Sequence, residues 1–174
     1  VFFLKEKNEL LTKKEFFEKD KNLKEINHLK EVEQILIKYG EERFSKKIAY
    51  KIIESKNIKT VFDLKNIIIK STPPKNRNKS FARVFQAFRI FVNKELEILE
   101  KFLHIFIKNL SINGRIVIVS YHSLEDRLVK HAFKNLKING NFNILTKKPI
   151  VPKFSEIKMN RRSRSAKLRA GEKV

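Results

Sequence analysis

The periodicity of the chain changes once, at Asn113-Gly114, and that change limits the folds open to it. Upstream, apolar residues recur at intervals of three and four, the spacing of amphipathic helices. Downstream, Ile116-Val117-Ile118-Val119 is a short continuous run of β-branched residues. Such a run reads as a strand buried on both faces, as in a parallel sheet. Ser120-Tyr121-His122 follows, and Ser123 with Asp126 reads as the cap of a helix running to about Asn135. Strand, loop and helix make an α/β unit, with Phe142 to Leu145 as a second strand candidate. A strand buried on both faces needs partners at both edges, and at most one further strand is legible. The chain also opens on Val1 rather than Met. A fragment is expected, its sheet completed by residues outside it.

The upstream region reads as short helices ending in a long one. Thr12 with Glu15 is a capping-box pattern in an otherwise poorly assigned segment, 1–24. Val32, Ile35, Leu36 and Tyr39 share a helix face that Gly40 stops. Phe44, Ile48 and Ile52 mark a second helix. Thr60 caps a third, with Val61, Leu64, Ile67 and Ile68 inward. Ser71-Thr72-Pro73-Pro74 breaks it and Lys75 to Ser80 reads as a basic loop. A single long helix is expected from about Phe81 to Leu110, on the stripe Val84, Phe88, Val92, Leu96, Leu99, Leu103, Phe106 and Leu110.

Composition excludes several chemistries. With no cysteine, a disulfide scaffold, a thiolate zinc site and a cysteine nucleophile are all ruled out. His28, His104, His122 and His131 show no metal-ligand spacing with carboxylates, so no metal is expected. The four glycines, Gly40, Gly114, Gly140 and Gly171, form no glycine-rich turn, so no cofactor-binding residue is expected in this chain. The apolar runs are too short to span a bilayer, and Val1-Phe2-Phe3-Leu4-Lys5 is charged too early for a secretory signal. A cytoplasmic protein is expected. The net charge of +21 suits a polyanionic partner, since neutralised phosphates release counterions. Lysine, however, supplies 30 of the 40 basic residues in a chain crowded with residues of AT-rich codons. Base-composition drift accounts for such an excess equally well, so arginine is the more informative cation.

Three segments are candidates for function. Ser120, His122 and Ser123 would emerge where a strand's carboxyl end opens on a ligand, the usual site in α/β sheets. The plainer reading is that Ser123 and Asp126 only cap a helix while Glu125 and Arg127 face solvent. Arg83, Gln86 and Arg89 share a helix face able to present donors to RNA phosphates, with Phe85 and Phe88 read as core. The tail holds Arg161, Arg162, Arg164, Lys167 and Arg169, a density of arginine that lysine drift does not explain. RNA contact and a merely solvated tail are the two readings there.

Four stretches, in order, resemble the bacterial ribosomal RNA small-subunit methyltransferase H family: Tyr39-Gly40-Glu41-Glu42-Arg43-Phe44-Ser45-Lys46-Lys47-Ile48-Ala49, Phe85-Gln86-Ala87-Phe88-Arg89-Ile90-Phe91-Val92-Asn93-Lys94-Glu95-Leu96, Ser120-Tyr121-His122-Ser123-Leu124-Glu125-Asp126-Arg127, and Arg162-Ser163-Arg164-Ser165-Ala166-Lys167-Leu168-Arg169. Each alone is weak; the ordered set is specific. The resemblance implies the carboxy-terminal half of a Rossmann-like S-adenosylmethionine methyltransferase domain, interrupted by an all-helical substrate-recognition domain. Residues 25–107 would be that insertion, and 108–174 the returning half with its basic tail. It also implies methylation of a cytidine N4 in the decoding region of 16S rRNA, with the small ribosomal subunit as partner. Ser120, His122 and Ser123 would then wall the pocket, and Arg83, Gln86, Arg89, Arg127 and the tail cations would hold RNA. Two positions depart from the family pattern. Lys79-Ser80 stands where His-Pro is usual, and Arg161 where a proline follows the asparagine. An RNA-binding relic without catalysis is the alternative.

Overall fold

A computed structural model describes residues 28–55 and 58–174, so the cap expected at Thr12 and Glu15 lies outside the described residues. The chain forms two compact units, Val1–Asn93 and Lys94–Val174. The first is helical where described: α1 (His28–Gly40), α2 (Ser45–Glu54), α3 (Val61–Ser71) and α4 (Arg77–Asn93), with a 3-10 turn at Pro74–Asn76. The expected inward faces meet in one core, where Val32, Ile35 and Leu36 of α1 pack with Ile48, Ile52, Leu64, Ile67, Ile68 and Val84. Phe85 and Phe88 are partly buried against that core rather than presented as platforms.

Local chemistry explains the helix ends. Thr60 Oγ1 accepts from Asp63 N at 3.2 Å while the Asp63 carboxylate accepts from Thr60 N at 2.9 Å, a complete capping box. The helix stops at Gly40 as the sequence suggests, but the glycine does not itself take the left-handed conformation. It is the last residue of α1, and Glu41 takes the positive φ of 49°. What requires glycine is proximity, because a Cβ at position 40 would lie 2.8 Å from the Arg83 carbonyl oxygen on α4. The basic loop expected to Ser80 is shorter than read, since α4 already begins at Arg77. The long helix is likewise two helices. Lys94 adopts φ 53°, ψ 36°, and α5 (Glu95–Asn109) starts after it. No Gly or Pro marks this break, and the apolar stripe runs through it.

The second unit contains α5, β1 (Arg115–Ser120), α6 (Ser123–Ile138), β2 (Phe142–Ile144), the short α7 (Phe154–Met159), a 3-10 turn at Arg161–Ser165, and β3 (Lys167–Lys173). Its sheet is antiparallel in the order β1-β3-β2. This corrects the expected parallel sheet: β1 pairs along its whole length with β3, from Arg115 opposite Glu172 to Ser120 opposite Lys167. Of the segment read as a basic tail, Lys167 to Arg169 therefore lie on the central strand β3, while Arg161–Ser165 form the 3-10 turn before it. The burial of β1 also alternates, with Val117 57% exposed, so the strand is covered on one face and not two. Beneath the covered face Leu103, Phe106, Val129, Phe133 and Phe142 form a second core. The Phe133 and Phe142 rings lie 4.8 Å apart. Gly171 on β3 leaves room for Phe142, whose ring an added Cβ would strike. Lys173 Nζ donates to the Ile107 and Leu110 carbonyls at 2.9 and 2.7 Å, placing a cation at the negative end of α5.

Candidate functional site

The turn from β1 into α6 positions the first candidate group. Ser120 is buried at the end of β1 and Ser123 is exposed at the start of α6. The helix cap is His122, not Ser123. His122 Nδ1 accepts from Glu125 N at 3.3 Å, and Glu125 Oε2 accepts from Tyr121 N at 2.8 Å and His122 N at 3.4 Å. A second hydrogen-bonding heteroatom on the imidazole is thereby fixed in role. Because Nδ1 accepts, the neutral ring carries its proton on Nε2. That nitrogen lies 3.4 Å from Glu125 Oε1, with the imidazole side chain only 7% exposed.

Glu95, from α5, joins this pair. One ligand atom from each of Glu95, His122 and Glu125 lies within 4.8 Å of the others, close enough for a cation. Histidine–carboxylate spacing could not reveal this group, because Glu95 sits on a separate element. The hydrogen bonding argues against a metal all the same. A cation on Nε2 would need the lone pair there, forcing the proton to Nδ1 and breaking the cap.

Asp126 does not help cap α6, as the Ser123–Asp126 spacing suggested. It is buried and turned toward β3, where Arg169 Nε donates to Oδ1 at 2.7 Å and Nη2 donates to Oδ2 at 3.2 Å. Lys167 Nζ stands 3.6 Å from Oδ2. Burial pushes the Asp126 carboxyl up, but the Arg169 hydrogen bonds and charge, with Lys167 behind them, outweigh it and hold the group below the usual carboxylate range. This corrects the reading of Arg169 as an RNA contact: the residue is 7% exposed and its guanidinium is engaged by Asp126. Lys167 is half-buried on the same carboxylate. Gln86 also departs from its expected role, its Nε2 donating to the Tyr39 carbonyl at 3.0 Å and tying α4 to α1. Arg83 and Arg89 are half-buried on α4, and Arg127 is exposed on α6. Arg161, Arg162 and Arg164 are exposed, as an RNA-facing segment requires.

A model of the MraW methylase family matches residues 17–174. The chain belongs to that family. Among similar proteins, the ribosomal RNA small subunit methyltransferase H of Trichodesmium erythraeum is 49% identical over 154 residues, covering 86% of this chain and 53% of that protein. The protein of the same name from Trichormus variabilis is 50% identical over 153 residues, 85% of this chain and 49% of its own length. The Thermotoga neapolitana protein of that name is 46% identical over 159 residues, 87% of this chain and 52% of its own. The chain thus spans about half the length of the curated relatives it matches. The stretches that carry the MraW resemblance include both members of the Asp126–Arg169 pair. Two charges of the motifs therefore act on each other, one on α6 and one on β3.

A methylase of this kind uses S-adenosylmethionine, whose nucleoside a glycine-rich turn commonly cradles. Gly40 faces a carbonyl of α4, Gly114 faces the Ser111 carbonyl and Leu110, and Gly171 faces the Phe142 ring. Gly140 has φ 76° with nothing within 4 Å. Each answers to a turn or to packing, and none lines a nucleotide-sized cradle.

Proposed function

We propose that the chain is the carboxy-terminal part of a methyltransferase that modifies the exocyclic N4 of a cytidine in the decoding region of 16S rRNA, using S-adenosylmethionine. The observation that carries this is the family match over 17–174, together with relatives named for small-subunit rRNA methylation. In this reading residues 25–107 are an all-helical substrate-recognition insertion and 108–174 return to a Rossmann-like domain; α5 then packs with the returning half. The small ribosomal subunit is the partner.

The N4 amine is a poor nucleophile, because its lone pair is delocalised into the ring. The base must leave its stack and be held in line with the donor. For each methyl that N4 gains it gives up one proton. The site beyond β1 suits the acceptor side of that task. Ser120, His122 and Ser123 wall the pocket, and the carboxylates of Glu95 and Glu125 stand beside the imidazole. The donor pocket is not assigned to any residue here. Arg83, Arg89, Arg127, Arg161, Arg162 and Arg164 hold phosphates.

Deleting the gene and digesting 16S rRNA to nucleosides tests the proposal. Loss of N4-methylcytidine from the decoding region is expected. An unchanged methylcytidine content, with RNA binding retained by the purified chain, would establish the non-catalytic RNA-binding reading instead.

A further inference from the structure

Between β2 and β3 the chain leaves the sheet and returns to it. Ile150 N donates to the Leu168 carbonyl at 2.9 Å and Leu168 N donates to the Ile150 carbonyl at 2.8 Å, so the two ends of the excursion are pinned together. The loop so closed is internally ordered. Asn160 N donates to Glu156 O at 2.7 Å at the end of α7. Asn160 Oδ1 accepts from Arg162 N at 3.1 Å, and the buried Ser163 donates its hydroxyl to Asn160 O at 2.8 Å. A compact loop of this kind, with its ends together and its own capping bonds, is a frequent carrier of function.

Its surface combines two unusual features. Phe154 is 82% exposed and Met159 90% exposed, which water disfavours without a partner. Around them Lys153, Lys158, Arg161, Arg162 and Arg164 are all exposed, with Glu156 the one acid between Ile150 and Leu168. Cations interleaved with an exposed ring and thioether suit a partner that is both polyanionic and rich in flat apolar surface.

We infer that this loop is a docking platform for unpaired RNA, with Phe154 stacking on an exposed base and the three arginines holding its phosphates. The inference rests on the rRNA reading above and names the strand state that reading left open. A base inside a duplex has both faces covered by its neighbours, so a protruding phenylalanine has nothing to stack on there. A single strand offers the face of every base, and guanidinium groups pair with its phosphates two bonds at a time. Phe154 and Met159 would flank the same strand, fixing its path beside the site rather than reading its sequence.

Fluorescence anisotropy with the whole 174-residue chain tests this, using an unstructured oligoribonucleotide, a fully paired RNA of the same composition, and phosphatidylcholine vesicles containing phosphatidylserine. Phe154→Ala should weaken single-strand binding about fivefold or more, with duplex binding within about twofold of the original. Phe154→Trp should restore it, which also shows that the loss is not one of folding. Changing Arg161, Arg162 and Arg164 to Gln should lower binding to both RNAs and reduce the log–log salt slope on the single strand by about 2. Equal losses on paired and unpaired RNA after Phe154→Ala would overturn the stacking role. Vesicle binding that depends on Phe154, with RNA binding indifferent to it, would overturn the RNA partner in favour of a lipid surface. RNA binding unmoved by every loop variant defeats the platform alone, whereas no RNA binding by the unaltered chain defeats the rRNA reading with it.

Discussion

The two units reach stability by different routes. In the helical unit the most deeply buried side chains are aliphatic and come from four helices, Leu36, Ile48, Ile68 and Val84 among them. In the α/β unit the core is smaller and aromatic, built on Phe106, Phe133 and Phe142, and it is supplemented by the buried Asp126–Arg169 pair. Aliphatic stripes need only the helical period to find one another. The aromatic core and the ion pair need particular residues, 43 apart in the case of Asp126 and Arg169, to arrive at one place. The second unit is therefore the one in which single positions decide most.

The largest test of this difference is within the α/β core. Phe133→Ala should cost about 3–5 kcal/mol, because the cavity left against Phe106 and Phe142 cannot collapse. Val117→Ala, on the uncovered face, should cost well under about 1 kcal/mol by burial bookkeeping. Urea unfolding of both variants measures the gap. Comparable losses would mean that the β1 face is covered in solution.

Next comes the ion pair. Arg169→Met should cost about 3 kcal/mol, since it strands a buried carboxylate. The double variant Arg169→Met with Asp126→Leu should recover much of the loss, because an apolar pair leaves no orphaned charge. The same carboxylate gives a pH signature. Its pKa is depressed in the folded state, so its stabilisation is present above the unfolded value of about 3.9 and is lost as pH falls through the lower folded value. Acid unfolding below about pH 4 should be shallower in Asp126→Asn than in the parent chain. Asp63 is held low as well, by hydrogen bonds from Lys59 N, the Thr60 hydroxyl and Thr60 N. Equal acid slopes in parent and Asp126→Asn would place the sensitivity elsewhere.

Smaller effects sharpen the comparison further. Gly171→Ala should cost about 1–3 kcal/mol through the clash with Phe142, seen as a lower unfolding temperature. Thr60→Ala, which removes one exposed capping box from the helical unit, should cost about 1 kcal/mol and leave the α/β unit's amide exchange untouched.

Much of the helical unit was legible in advance. The inward residues of α1, α2 and α3 follow from spacing, and the Thr60 cap from its side chain. The break at Lys94 was not legible, because the apolar stripe passes through it and the residue has no intrinsic preference for a positive φ. In the candidate site, the segment from Ser120 to Arg127 was found, but the partners of its members were not. Glu95 reaches His122 from another element. Arg169 is misread by any rule of alternation, since Leu168 and Ala170 beside it would be taken as the inward positions and the buried one is the arginine.

Amino-acid order alone determined where helices form, where β1 runs and which family the motifs resemble, because periodicity, β-branching and capping are properties of neighbours in the chain. The antiparallel sheet, with Lys167–Lys173 at its centre, was decided only in three dimensions. So were the Asp126–Arg169 pair and the meeting of Glu95, His122 and Glu125. Strand pairing and ion pairing join residues far apart in sequence, and their energies depend on burial, which no local pattern records.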